Sequence, residues 1–313
     1  MFFVFCVTLP KRGAVCKKRF RIGGGLTKIR CLAARQNPDV HITISLVNSI
    51  DGPIEWKYSI GMRQESRGKR RVLLRHEQIW DKKGDLILSR PDENDLKDEE
   101  RLTQTHLEQI NSNFKFRVIA ETFKKIEYLH MVPQLLRYPE KFKSFNVEND
   151  PFGLDFLERI ARLTPSIQKS RLNKIEDALR IAVPQLKEIN LIRDETTGVP
   201  HLEANYEHWR AHGSKQREDQ FSDGTLRLLG LFWSMLDSSG PLLLEEPELS
   251  LNAGIVSQLA PLIYTVQKHR KQQLLITTHS ESLVDDKGID GREVIRKGPR
   301  PPLPVTFQNV EPY

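Results

Sequence analysis

From Val40 the chain alternates apolar and polar positions with a period of two, placing Val40, Ile42, Ile44 and Leu46 on one face. After an Asp51-Gly52-Pro53 turn the alternation resumes with Ile54, Trp56, Tyr58 and Ile60. Successive side chains of a strand point to opposite faces, so this pattern predicts a hairpin with one buried and one wet face. Residues 72–74 and 86–88 predict further strands, the latter entered through the Lys83-Gly84-Asp85 turn. Ahead of them, the apolar opening MFFVFCVTL predicts a buried strand or an altered start to the chain. It is too short to span a bilayer and no basic residue precedes it, so it lacks the charge order of a secretory signal.

The period then changes. Residues 92–101 are charge-dense and mostly acidic, with no apolar stripe, and read as a solvated loop or helix start. Residues 102–143 look helical but irregular, interrupted by Pro133 and Pro139. Residues 155–163 and 170–186 predict amphipathic helices, with Leu172, Ile175, Leu179, Ala182, Val183 and Leu186 at helical spacing. Residues 189–192 and 201–206 bracket a Thr197-Gly198 turn and predict a short hairpin, and 215–219 read as a polar linker.

The stretch 220–280 is organised differently. Ser222 is a good N-cap for a helix whose face carries Leu226, Leu229, Phe232 and Leu236, and Gly224 lets a ligand approach the backbone. Leu242-Leu243-Leu244 is a continuous apolar run, as in a strand buried on both faces, and it ends in Glu245-Glu246-Pro247-Glu248. A second apolar strand, Leu274-Leu275-Ile276, ends in Thr277-Thr278-His279-Ser280. Open α/β sheets present their chemistry at the carboxyl ends of strands. A helix N-terminus with free N–H groups, a pair of carboxylates and a histidine delivered this way predict a nucleoside triphosphate site.

Composition alters this picture little. The 48 Lys+Arg against 41 Asp+Glu give a net charge of +7, a mild tilt towards nucleic acid. Cys6, Cys16 and Cys31 have no metal-ligand spacing and an odd count, which argues against a disulfide framework or zinc site and fits a reducing cytoplasm. No segment is apolar enough to predict a membrane span. The tail over residues 296–304 is proline-rich and basic, and reads as loop-like.

In this order and spacing, the three segments resemble the ATPase head of the ABC/SMC-like P-loop ATPases, above all the bacterial AAA-family group of AbiEii-toxin or RecF-like type. FSDGT (221–225) looks like a variant of the ABC signature, LLLEEPE (242–248) like the Walker B strand, and TTHS (277–280) like the switch histidine. The resemblance implies an α/β fold: a P-loop ABC-type ATPase head with a β-rich antiparallel lobe (1–97), a helical lid or insertion (98–215) and a catalytic core (216–313). It implies ATP and Mg²⁺ as cofactors. Ser222 and Gly224 would contact the γ-phosphate of ATP held by the opposite subunit. Glu245 would sit near Mg²⁺, Glu246 would polarise the attacking water, and His279 would read the γ-phosphate. Residues 248–252 would cross a dimer interface. The implied partners are a second copy or a related ATPase subunit, with DNA or a defence effector protein beyond it, in anti-phage defence or toxin–antitoxin control.

One part of that family's site is not found. Its phosphate cradle is GxxxxGK[ST], whereas Gly23-Gly24-Gly25-Leu26-Thr27-Lys28 has neither the spacing nor the following hydroxyl. Residues 23–46 instead resemble the segment after the cradle helix, and residues beyond Val294 are foreign to the family pattern, so the expectation is a chain that begins downstream of its Walker A. The alternative is a degenerate subunit that completes a partner's site. A catalytically inactive, nucleic-acid-binding accessory is the competing function, motivated by the basic runs 11–21 and 69–71. A nuclease finds no acid cluster or His/Cys set outside the ATPase-like motifs.

Overall fold

The structure, a computed structural model, describes residues 2–5, 39–49, 52–65, 70–142, 150–207, 214–267, 270 and 272–284. The run 11–28, with most of the basic segment and the glycines, the three cysteines, Lys69 and the proline-rich tail lie outside them. The chain divides into two compact units, one running to Ile126 and the other over Glu127–Val294.

The first unit is an antiparallel meander of β1 (Phe2–Phe5), β2 (Val40–Val47), β3 (Ile54–Gln64), β4 (Val72–Asp81) and β5 (Leu86–Arg90), in that spatial order. The predicted alternation is what the sheet uses: Val40, Ile42, Ile44 and Leu46 are buried while His41 and Thr43 face water. The strands run longer than their apolar cores suggest, because β3 and β4 stay paired through a bulge at Gly61/Met62. Gly84 turns the chain into β5 at φ +85, a left-handed conformation that glycine adopts freely.

The acidic link holds a surprise. Asp92 caps the short helix α1 (Glu93–Lys97) through a capping box with Asp95, but Asp95 is buried rather than solvated. Its carboxylate takes Arg90 Nε and Nη2, each at 2.8 Å, and Arg101 Nε at 3.0 Å. Arg90 also donates to Glu77 at 3.0 Å and to the carbonyls of Arg101 and Gln104. The side chains of Arg90, Glu77 and Asp95 are all 0 % exposed. Glu77 accepts in turn from the backbone N–H groups of His106 and Leu107. The polar segment is thereby stitched onto the sheet with every buried charge compensated. The described part of the expected irregular helix, residues 102–142, is not one run of helix. They hold tight turns, α2 (Arg117–Lys124), the short strand β6 (Glu127–Leu129) and α3 (Pro133–Arg137), entered at Pro133 in its favoured first-turn position.

The second unit, from β6 onward, has one core. α4 (Phe156–Ala161) and α5 (Pro165–Ala182) follow the predicted stripe, with Leu172, Ile175 and Leu179 buried. The helix stops four residues earlier than expected, because Pro184 disfavours helical backbone at Val183, and Leu186 opens β7 (Leu186–Arg193) instead. β7 pairs with β8 (Pro200–Tyr206) around the turn at Gly198, and β9 (Ser214–Arg217) extends this antiparallel sheet where a polar linker was expected.

α6 (Asp223–Asp237) is buried nearly all round: besides the expected Leu226, Leu229, Phe232 and Leu236, the residues Leu228, Leu231, Trp233 and Met235 are buried as well. The amphipathic face predicted for it is one side of a central helix, onto which α3, α5 and later α8 all pack. Beyond it come β10 (Leu242–Glu245), α7 (Ala253–Val256), α8 (Leu259–Gln267), β11 (Leu274–Thr277) and α9 (Glu281–Val284). β10 lies between β11 and β6, parallel to both, as its continuous apolar run requires. The α/β class, with an antiparallel lobe and helices, is the expected one.

Candidate functional site

The carboxyl ends of β10 and β11 meet in register, with Glu245 opposite Thr277. Glu245 is the last residue of its strand, and its Oε2 accepts a short hydrogen bond from the hydroxyl of Tyr128 on β6. The chain then turns sharply. Glu246 has φ +43 and Ser250 φ +65, both left-handed and both non-glycine, a conformation that costs roughly 1–3 kcal/mol apiece unless the surroundings enforce it. Here they do: Glu246 N donates to Thr277 O at 2.9 Å, Leu249 N to Glu246 O at 3.1 Å and Leu251 N to Glu248 O at 3.0 Å.

This turn aims Glu246 at the neighbouring strand end, where its Oε1 lies 3.0 Å from His279 Nε2. The histidine ring is 90 % exposed, so the pair faces outward. Glu248 points inward and latches the two loops together. Its Oε1 accepts from Thr278 Oγ1 at 2.5 Å and from the backbone N–H of His279 at 3.0 Å. Thr278 Oγ1 accepts in turn from Ser280 N at 2.9 Å, which fixes the backbone around the histidine.

The small-residue turn ahead of α6 is held just as firmly. Glu218 is buried, accepts from Leu202 N at 2.8 Å and meets His201 Nδ1 at 2.6 Å, tying the approach to β8. Arg137 reaches from α3 to Phe221 O at 2.6 Å and to Asp223 Oδ1 at 2.7 Å, and Gln134 donates to Asp223 Oδ2 at 3.1 Å. Ser222 caps α6 as predicted, accepting from Thr225 N at 3.1 Å. Gly224 touches the turn after β10: a Cβ there would stand 3.2 Å from Ser250 O and 3.3 Å from Leu251 Cδ2. Gly224 thus packs closely on the acid-bearing loop of its own chain.

Of the residues singled out from sequence, Glu246 and His279 are in direct contact, Gly224 abuts their loop, and Ser222 is engaged within its own turn. Glu245 is joined to Tyr128 and has no hydrogen bond to the Glu246–His279 pair among the described residues.

Arg227 was not foreseen. It lies one turn into α6, 5 % exposed, and among the described residues nothing hydrogen-bonds its Nε or Nη1. Burial lowers its pKa, and the charges of Asp223, Glu248 and Glu246 pull it back up. Among the described residues Glu248 Oε2 is also buried and without a hydrogen bond. A guanidinium in the middle of LRLLGLFW reads in sequence as a solvated position on an amphipathic helix. Only the burial of every face of α6 makes it a charge in the core.

The donor set is hard oxygen, which suits Mg²⁺ rather than softer ions. Among the described residues no group of three or more His, Cys, Asp or Glu converges on one point. No helix among the described residues is long and apolar enough to cross a membrane.

Residues 17–285 match the family model described as "AAA domain, putative AbiEii toxin, Type IV TA system". No curated protein matches the chain. Among solved structures, an SMC head bound to the C-terminal winged-helix domain of ScpA is similar at 14% identity and a TM-score of 0.40, covering 79% of this chain and 68% of that one. The SMC head domain from Thermotoga maritima overlaps at 12% identity and a TM-score of 0.35, over 79% and 67% of the two chains. The Pyrococcus furiosus SMC head with an extended coiled coil gives 15% and 0.34, over 79% and 72%. Overlaps this loose fix no residue-by-residue correspondence.

Proposed function

From the premise that the chain belongs to this family of AAA domains, we propose that it is an ATP-binding and ATP-hydrolysing switch that dimerises around nucleotide. The single observation that carries this reading is the Glu246–His279 contact of 3.0 Å at the carboxyl ends of two parallel strands. A carboxylate held against an exposed imidazole, on a turn that keeps it off the strand axis, suits a group that polarises a water molecule. In this reading Glu246 orients and deprotonates the attacking water while His279 senses the terminal phosphate. Glu245, steadied by Tyr128, would hold Mg²⁺, which when bound neutralises phosphate charge. Ser222 and Gly224 would meet the γ-phosphate of nucleotide carried by the opposite subunit, through the N-terminus of α6. Glu248 acts as a positioning residue: its bonds to Thr278 and to His279 N keep the histidine in register with Glu246.

The family description supports a place in toxin–antitoxin control or defence, where a second copy or a related ATPase subunit, with a defence effector or DNA, would be the partner. Of the basic run at 69–71, Arg71 is ion-paired with Glu65 and Glu100.

The test is Glu246→Gln in a protein supplied with a GxxxxGK[ST] phosphate-cradle segment, which residues 1–313 do not contain. The substitution keeps the shape of the side chain but removes the base, so with Mg²⁺-ATP the variant should accumulate as a dimer on size-exclusion chromatography. The same protein with Glu246 intact should return to monomer as ATP is consumed. If neither protein changes size with Mg²⁺-ATP, the switch mechanism is wrong.

A further inference from the structure

The second unit holds a cavity that the strand-end residues do not share. Its volume is about 490 Å³, and none of Ser222, Gly224, Glu245, Glu246 and His279 lines it. Val132, just before α3, and Leu135 on that helix form one wall. Phe152 and Leu157 form a second, and Val199 and Pro200, where β8 begins, a third.

These walls are fixed from behind. Asp150 is buried and accepts from Leu154 N and Asp155 N, each at 2.7 Å, which closes the turn that carries Phe152. His130 N donates to Pro151 O at 2.8 Å and Val132 N to Phe152 O at 3.2 Å, tying this turn to the chain ahead of α3. The His130 ring meets Phe152 edge-on, with centroids 6.4 Å apart. Gly153 has φ +86, and a Cβ there would stand 2.8 Å from Leu136 Cδ1, so the turn packs directly on α3. The cavity is therefore preformed.

Its polar residues are of one sign. Glu140, Asp150, Asp155 and Glu158 line it, and among the described residues no Lys, Arg or His does. Asp155 precedes α4 without capping it, and both Asp155 and Glu158 are exposed, at the rim. The cations next to these acids in sequence are engaged elsewhere. Lys141 Nζ lies 4.5 Å from the centre of the Tyr138 ring, and Arg159 gives Nε and Nη2 to Asp237 at 3.0 and 2.5 Å. On a chain of net charge +7 this is a local reversal. A cleft with apolar walls and charges of one sign focuses their field on the space between them.

We propose that this cavity binds a protonated amine with an apolar body. Small-molecule sites have about this size, roughly 300–1,000 Å³, and this make-up of apolar walls with a few polar groups. The hydrocarbon fills the space between Leu135, Phe152, Leu157 and Pro200. The ammonium meets the rim carboxylates, in charge-assisted hydrogen bonds that a neutral molecule of the same shape cannot match. An anion is repelled, and a cation without an apolar body leaves the walls unused.

The experiment titrates the full chain with phenylbutylamine by calorimetry. Phenylbutanol and phenylbutyrate are the neutral and anionic compounds of the same body, and spermidine is a cation without it. The amine should bind one equivalent with Kd below about 1 mM, the alcohol at least tenfold more weakly, and the carboxylate not at all. The double variant Asp155→Asn, Glu158→Gln should lose about tenfold for the amine and little for the alcohol. Val199→Trp, which fills the cavity from a half-buried wall position, should abolish binding. In ¹H–¹⁵N spectra the amine should shift residues 132–135, 152–158 and 199–200 most, and circular dichroism checks that each variant is folded. Four results would overturn the proposal: no saturable binding of the amine, alcohol or spermidine bound as tightly as the amine, affinity unchanged in either variant, or shifts centred elsewhere.

Discussion

Replacing Arg227 by methionine should make the protein more stable, contrary to the usual outcome of a core substitution. The guanidinium is 5 % exposed, and its Nε and Nη1 have no hydrogen-bond partner among the described residues. Each buried unpaired donor costs about 1–3 kcal/mol. The three carboxylates that attract it, Asp223, Glu248 and Glu246, act without making an ion pair with it. At an effective dielectric of about 20, a unit charge at roughly 8 Å returns about 2 kcal/mol. The opposing contributions are thus of similar size, and a linear apolar side chain of similar length removes the desolvation while keeping the packing of the stem. Measured exchanges of buried charges for apolar groups gain about 1–4 kcal/mol. Because some attraction is lost here, we expect a gain of about 1–2 kcal/mol, or about 2–8 °C in the melting temperature of a unit this size. Scanning calorimetry of the variant against the unaltered chain reads this directly. Arg227→Ala, which also leaves a cavity, should gain less or lose stability. A Met variant destabilised by more than about 1 kcal/mol would refute the reasoning, because it would mean that the guanidinium is firmly paired.

The same Arg227→Met protein, folded and more stable, should lose Mg²⁺-ATP-dependent dimerisation, measured by size-exclusion chromatography, if its charge is retained to steady the acid-bearing loop. In the first unit, Glu77→Leu should cost about 3–5 kcal/mol in urea unfolding, since it takes from buried Arg90 one of its two carboxylates. Burial alone would raise the pKa of Asp95, but hydrogen bonds from Arg90, Asp92 N and Arg101 outweigh it and hold the carboxyl well below the usual range. Its contribution to stability is therefore complete above about pH 4, the unfolded value, and is lost as pH falls towards the depressed folded value. An acid titration should show this loss in the unaltered chain and a flatter profile in Asp95→Asn. Gly224→Val should strain the contact with Ser250 O and Leu251 by about 1–3 kcal/mol, seen as a lowered melting temperature.

What the sequence made legible follows from how local each cause is. Strands β2 and β3 announced themselves because their inward residues alternate strictly, and β10 because three leucines run unbroken into two acids. β6 is only three residues long, Glu127-Tyr128-Leu129, too short to show any period, yet it supplies the tyrosine that meets Glu245. β9 reads Ser-Lys-Gln-Arg and becomes a strand only because β8 offers it an edge. The acidic run at 92–101 reads as solvated, and Asp95 leaves water only because Arg90 waits for it inside the sheet. The pairing of Glu246 with His279 depends on two strands 32 residues apart lying in register, and periodicity cannot report that. Glu245 and Glu246 do not simply alternate in and out, because the strand ends at Glu245 and Glu246 sits in a left-handed turn.

The two buried arginines show where this chain tolerates conflict between local preference and packing. Arg90 is encased and fully answered, with two carboxylates and two carbonyls around one guanidinium. Such a network specifies one arrangement and resists change. Arg227 is also buried but lacks partners at two of its nitrogens among the described residues, and Glu248, one of the charges that act on it, has a buried oxygen that lacks one too, on a loop with left-handed backbone at Glu246 and Ser250. These features are individually unfavourable and do nothing for the core they sit in. Unpartnered buried atoms occur also at His130, Arg137, Asn205 and Trp233, and left-handed non-glycine backbone at Arg70 and Asp150, but among the described residues the one buried carboxylate oxygen without a partner is that of Glu248, whose charge acts on Arg227. Sequences that otherwise agree with their fold at every level break their own rules where function requires it. An arginine and a carboxylate that are buried, incompletely bonded and electrostatically linked argue that the strand-end loop and the start of α6 act together, with Arg227 and Glu248 as the groups left unsatisfied.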